Sequence, residues 1–140
     1  MSIHSPAVLD KKFIEMMKLL NIYLNHFPKH EKYALCNVIR NTAYQLYDLI
    51  TEAQKKHHKK TTLSMIDITH EKLRMQIRLA HELNYFAYKD ERLSEKSPEI
   101  LALHRLTALQ RLIDEFGRMI GGWISHERAQ EKGNALTCCA

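Results

Sequence analysis

The stretch PEILALHRLTALQRLIDEFGRMIGGWISH, residues 98–126, decides the fold. Ala102, Leu106, Leu109, Ile113, Phe116, Ile120 and Trp123 recur in alternating steps of four and three, the heptad spacing that turns one apolar seam of an α-helix toward partner helices. Ser97-Pro98-Glu99 opens the stretch as a capping serine, a proline at the first helical position and then helix, because proline there sacrifices no hydrogen bond. Working outward, no glycine precedes Gly117, and the prolines are Pro6, Pro28 and Pro98. A backbone without the two strong helix breakers orders most easily as long helices.

Upstream, the same periodicity repeats. A helix is predicted over about residues 62–87, with Leu63, Ile66, Leu73, Ile77 and Ala80 on one side and Met65, Ile68, Met75, Leu79 and Phe86 on a second. Thr61-Thr62 precede it as plausible caps. Another helix is predicted over about 29–56, carrying Leu35, Ile39, Leu46, Ile50 and Ala53 inward. The first, about 6–26 and opened by Ser5-Pro6, places Leu9, Phe13, Met16, Leu20, Tyr23 and Phe27 on a stripe that Ile14, Met17 and Leu24 widen. Such width suits a helix that touches two neighbours. Four helices with short connections, the longest the polar stretch Tyr88 to Ser97, predict an all-α, antiparallel up-down four-helix bundle. The bundle domain is expected to span 1–126 and a flexible tail 127–140, where the sequence turns polar and reaches Gly133-Asn134.

The 140 residues are 45% hydrophobic and 26% charged, an ordinary globular balance. No run approaches the roughly 20 apolar residues of a membrane span, and the first residues lack the basic-apolar-small order of a signal peptide. The expected location is therefore the cytoplasm, with no membrane partner. Three cysteines make no disulfide framework: Cys36 reads as a small core hydrophobe, and Cys138-Cys139 as an end too short for a zinc site. A net charge of +5, from 21 Lys+Arg against 16 Asp+Glu, favours an acidic partner such as nucleic acid without demanding one.

Four groups of residues are candidates for function. The run Lys55-Lys56-His57-His58-Lys59-Lys60 concentrates cations for phosphate contact; equally, it suits a solvated turn at a helix C-terminus. Neighbouring histidines diverge on a helix and no further ligands are evident, so no metal and no cofactor is expected. Arg74, Arg78, His81 and Tyr85 share one face of the third helix, an arginine-tyrosine combination able to hold phosphate and stack on bases. Pairing of Glu71 with Arg74 and of Arg78 with Glu82 would account for the same charges. On the second helix, Tyr33, Asn37, Arg40, Tyr44 and Tyr47 form a face suited to another subunit, to nucleic acid, or to a tyrosine row within the bundle. Gly117 and Gly121, four apart, let another backbone come close, and with Gly122 they cost helix stability unless close packing, within the bundle or between protomers, compensates; fraying of the helix C-terminus would equally account for them. No P-loop, dinucleotide fingerprint, HExxH sequence or inward Glu-x-x-His pair is present. The Arg74-to-His81 spacing matches that of helical HEPN ribonucleases, but a single pair arises easily by chance, and no enzyme is expected.

Three segments together resemble the accessory variability proteins of diversity-generating retroelements. They are Phe27-Pro28-Lys29, Leu73-Arg74 with Arg78-Leu79-Ala80, and Gly117-Arg118-Met119-Ile120-Gly121-Gly122-Trp123-Ile124, the last being the most specific. The resemblance covers most of residues 8–126. It implies a ring-shaped homopentamer that binds the element's reverse transcriptase and RNA or DNA, supporting mutagenic copying without being a polymerase itself. The matching basic positions are Arg74, Arg78 and Arg118; the lysine run and the tail match no motif of the family. A generic RNA-associated bundle, similar to proteins encoded in ribosomal RNA intervening sequences, is the alternative, because that group shares the Phe-Pro-Lys entry.

Overall fold

Four α-helices carry the described residues, which in this computed structural model are 6–89 and 97–139. They are α1 (Pro6–Leu24), α2 (Leu35–Lys55), α3 (Lys60–Glu82) and α4 (Pro98–Cys139), with a 3-10 turn at Lys29–Glu31. No strand occurs among the described residues. Going round the bundle, α1 packs on α2, α2 on α3, α3 on α4 and α4 back on α1. Each neighbouring pair runs antiparallel: α1 meets α2 through Asn21 with Arg40 near one end and Asp10 with Tyr47 near the other. The up-down topology expected of four helices with short connections is the one observed. No helix among these residues is long and apolar enough to cross a membrane.

The seam of α4 is the spine of the core. Leu109, Ile113 and Phe116 are fully buried, and Ala102, Ile120 and Trp123 nearly so. Against them lie Leu9, Met16, Leu20, Ile39, Leu46, Ile66, Leu73 and Ile77, all completely buried. Phe86 also enters this core, edge-on to Tyr23 and Phe27. It therefore does not share a side of α3 with Met65, Ile68, Met75 and Leu79, where the periodicity had placed it; α3 ends before it and those four are exposed. Cys36 is buried with its thiol donating to the Leu24 carbonyl, and burial pushes its pKa up.

Helix ends depart from the sequence expectation for identifiable reasons. After Pro28 the chain makes a 3-10 turn, and α2 begins at Leu35 rather than near residue 29. The Glu31 carboxylate accepts the Leu35 N–H at 3.0 Å and the Tyr85 hydroxyl at 2.8 Å. Both bonds hold this carboxyl below its ordinary pKa. Thr62 does not cap α3, which starts at Lys60; its hydroxyl is buried and accepts the Lys56 ammonium. α3 ends at Glu82 instead of 87 because Asn84 takes a left-handed conformation, φ 63°. The Tyr85 N–H then reaches the Ala80 carbonyl and the Asn84 N–H the His81 carbonyl, the paired bonds of a Schellman stop.

At α4 the expected cap is realised, with the Ile100 N–H donating to the Ser97 hydroxyl. The helix does not stop at His126 but continues to Cys139. Ile124 and Glu127 lie alongside Lys60, Leu63 and Ser64 of α3, which carries the helix past the expected end. Arg128 to Asn134 are exposed. The Ser5 cap, residues 90–96 of the polar connection and the Cys138 and Cys139 side chains lie outside the described residues.

Candidate nucleic-acid and partner surfaces

The cationic turn between α2 and α3 is built partly for its own closure. The Lys59 ammonium donates to the Ala53 and Lys56 carbonyls, both at 2.6 Å. It thereby satisfies carbonyls that a helix C-terminus leaves without partners. Lys56 pairs with Glu52 at 2.7 Å one turn back. Lys55 and Lys60, by contrast, are exposed and join no ion pair among the described residues.

The arginine face of α3 divides in the same way. Arg74 forms a tight ion pair with Asp114 of α4 and a longer one, 4.0 Å, with Glu71. Its charge fastens α3 to α4. Arg78 is exposed without an ion pair among the described residues, and so is Arg118 on α4. Tyr85 lies beyond the helix, its hydroxyl donated to Glu31 and its ring packed on Phe27. Glu31 raises the pKa of that hydroxyl. His81, the other half of the Arg-to-His spacing, is half-buried. The lone motif thus pairs an arginine held by a carboxylate with a histidine in the bundle flank.

The tyrosine face of α2 is not one surface. Tyr33 stands 90% exposed before the helix begins. Arg40 reaches across to the Asn21 and Asn25 amide oxygens of the α1 end. Tyr47 donates to Asp10 and packs its ring 4.8 Å from Phe13, and the Asp10 carboxylate pushes the phenol above its usual pKa. Tyr44 is half exposed beside it. Tyr44 and Tyr47 line a groove between α1 and α2 with Ile14 and Met17.

The two glycines also separate. A Cβ at Gly117 would lie 2.6 Å from Cε1 and 2.9 Å from Nε2 of His70. His70 is buried and its Nε2 lies 2.8 Å from the Ile113 carbonyl, so the ring cannot withdraw cheaply. Gly117 therefore serves close packing inside the bundle. Gly121 meets nothing within 4 Å and faces open space.

Sequence reasoning passed over Arg105, although it interrupts the seam between Ala102 and Leu109. It is buried, donates from one terminal nitrogen to the Phe86 and Tyr88 carbonyls at 2.8 and 2.7 Å, and lies 3.6 Å over the Tyr88 ring. His26 stacks on the same tyrosine at 4.3 Å. The guanidinium pins the segment after α3 to the bundle end. No group of three or more His, Cys, Asp or Glu side chains suited to a metal ion occurs among the described residues.

No curated protein and no solved structure matches the chain. A family model does match, the one described as bAvd-like, over residues 7–127. That span runs from the start of α1 past the Gly117–Ile124 motif, and its length settles the relationship: the chain belongs to the bAvd-like family.

Proposed function

We propose that this protein is a non-catalytic accessory factor of a diversity-generating retroelement, assembling as a homopentameric ring that binds the element's reverse transcriptase and nucleic acid. The observation that carries the reading is the family match across the whole bundle. The +5 charge supports it, because a ring repeats each protomer's cations and pools a modest charge into a field able to hold a polyanion near a polymerase. Lys55, Lys60, Arg78 and Arg118 are the cations best available for phosphate, being exposed and outside the ion pairs of the described residues. Lys56, Lys59 and Arg74 remain in the proposed surface as supporting charges already engaged within the fold. Tyr33 and Gly121 are proposed as partner-facing positions. The exposed stretch from Arg128 is proposed as a flexible extension whose removal by limited trypsin digestion leaves the bundle folded.

Binding of a single-stranded oligonucleotide across a salt series tests the nucleic-acid part. Affinity is expected to fall steeply with salt and to show little base preference. Reversing Lys55, Lys60, Arg78 and Arg118 to Glu is expected to flatten that slope; an unaltered slope removes these residues from the site. Co-purification with the element's reverse transcriptase tests the partner, and native mass tests the ring.

A further inference from the structure

Three flat groups are stacked at the end of the bundle where α1 and α3 finish and α4 begins. The ring of His26, an exposed residue just past α1, lies 4.3 Å from the Tyr88 ring with an interplanar angle of 9°. The Arg105 guanidinium lies 3.6 Å over the same tyrosine. Two groups this close cannot share one face, so Tyr88 is sandwiched between them. With one face of His26 covered by Tyr88, its exposure lies on its edges and its outer face. No second ring meets it among the described residues.

Each layer is held in place before anything binds. Arg105 is buried, and its bonds to the Phe86 and Tyr88 carbonyls fix both the guanidinium and the backbone that carries the tyrosine. His26 continues the turn of α1: its N–H donates to the Tyr23 carbonyl, and the next N–H, that of the buried Phe27, donates to Leu24. A face already ordered by the fold loses little freedom when a ligand stacks on it. Cations flank both rings in sequence. Lys29 and Lys32 after His26, and Lys89 after Tyr88, are exposed and join no ion pair among the described residues. Glu31, the acid between those first two lysines, is occupied by the Leu35 N–H and the Tyr85 hydroxyl.

We propose that the outer face of His26 is a stacking platform for an unpaired base of a single-stranded nucleic acid, with Lys29, Lys32 and Lys89 meeting the adjoining phosphates. A flat ring backed by a second ring and flanked by cations matches a base joined to phosphates on either side. Every base has such a face, so the platform grips bases without choosing among them. The proposal rests on the nucleic-acid binding proposed above and adds a separate site to it. The length of α2 puts that site about 30 Å from the 55–60 lysine turn, at the opposite end of the bundle. There the strand is held by its bases as well as by its charge.

Two oligonucleotides of equal length and charge test it: a short single strand, and the same strand with its bases replaced by abasic tetrahydrofuran residues. By fluorescence anisotropy, the wild type is expected to bind the strand with bases about tenfold more tightly than the abasic one. His26→Ala is expected to bring the two affinities together. His26→Phe, a ring without charge, is expected to keep the difference; His26→Lys, a charge without a ring, is expected to lose it. His26 is exposed, and circular dichroism with thermal melting checks that all three variants remain folded.

Equal affinity of the wild type for the two strands, or a difference that survives His26→Ala, overturns the platform and leaves binding through phosphates standing. A difference lost in His26→Phe or kept in His26→Lys has the same consequence. A wild type that binds neither strand overturns both readings.

Discussion

At the scale of single residues, the two glycines of the α4 motif are predicted to respond oppositely to the same substitution. Alanine exceeds glycine in helix propensity by about 1 kcal/mol. Gly121→Ala meets no neighbour, so the free energy of unfolding should rise by up to that amount. Gly117→Ala drives a methyl into the His70 ring, which is held against the Ile113 carbonyl. Overpacking of this kind costs about 1–3 kcal/mol, enough to reverse the propensity gain. Urea denaturation of the two variants checks the prediction; equal effects would remove His70 as the reason for Gly117. Arg105 yields a second prediction. Removing its guanidinium strands two carbonyls and the Tyr88 stack, and Arg105→Ala should destabilise by about 3 kcal/mol, the scale of charged hydrogen bonds. Arg105→Lys should recover only part, since an ammonium lacks the planar fork that stacks while it donates.

At the scale of elements, the helix cores were legible and their ends were not, for one physical reason. Periodicity reports which face is buried, and Leu109, Ile113, Phe116 and Ile120 of α4 lie where their spacing put them. Ends are set by single hydrogen bonds that leave little pattern. Ser97 was readable because its serine-proline pair is a local signal, and its hydroxyl does accept from Ile100. Asn84 was passed over because Phe86 extends the apolar rhythm and Tyr85 the arginine face, although asparagine is the residue after glycine that best tolerates positive φ. The α3 stop therefore makes a sharp prediction. Asn84→Gly should leave stability unchanged or slightly higher, whereas Asn84→Val should cost about 1–2 kcal/mol, because a β-branched side chain crowds the left-handed backbone. Thermal melting of the pair separates a backbone requirement from loss of a side-chain contact: the latter would make both variants equally weak.

At the scale of the whole molecule, charge was legible in amount but not in assignment. Arg74 and Arg78 look alike in sequence, yet only Arg74 meets Asp114, a contact made by two helices 40 residues apart. The same long-range geometry predicts that the bundle loses stability in acid. Glu115 of α4 receives the Lys12 ammonium of α1 at 2.8 Å, which holds the carboxyl below its ordinary pKa and raises that of Lys12. Glu31 is held down likewise by the Leu35 N–H and then the Tyr85 hydroxyl. A carboxylate whose pKa is lower folded than unfolded stabilises the fold in full above the unfolded value, about 4.3 for glutamate. That contribution fades as pH falls through the lower, folded value. The bundle should thus hold its stability from neutrality down to the ordinary carboxylate range and lose it below, both carboxylates acting in the same direction. The double variant Glu31→Gln, Glu115→Gln should be less stable at neutral pH and should lose less on acidification, so that the two stability curves converge at low pH. Urea unfolding at a series of pH values measures this. Parallel curves would mean that Glu31 and Glu115 ionise alike in the folded and unfolded chain, and would remove them as the source of the pH dependence.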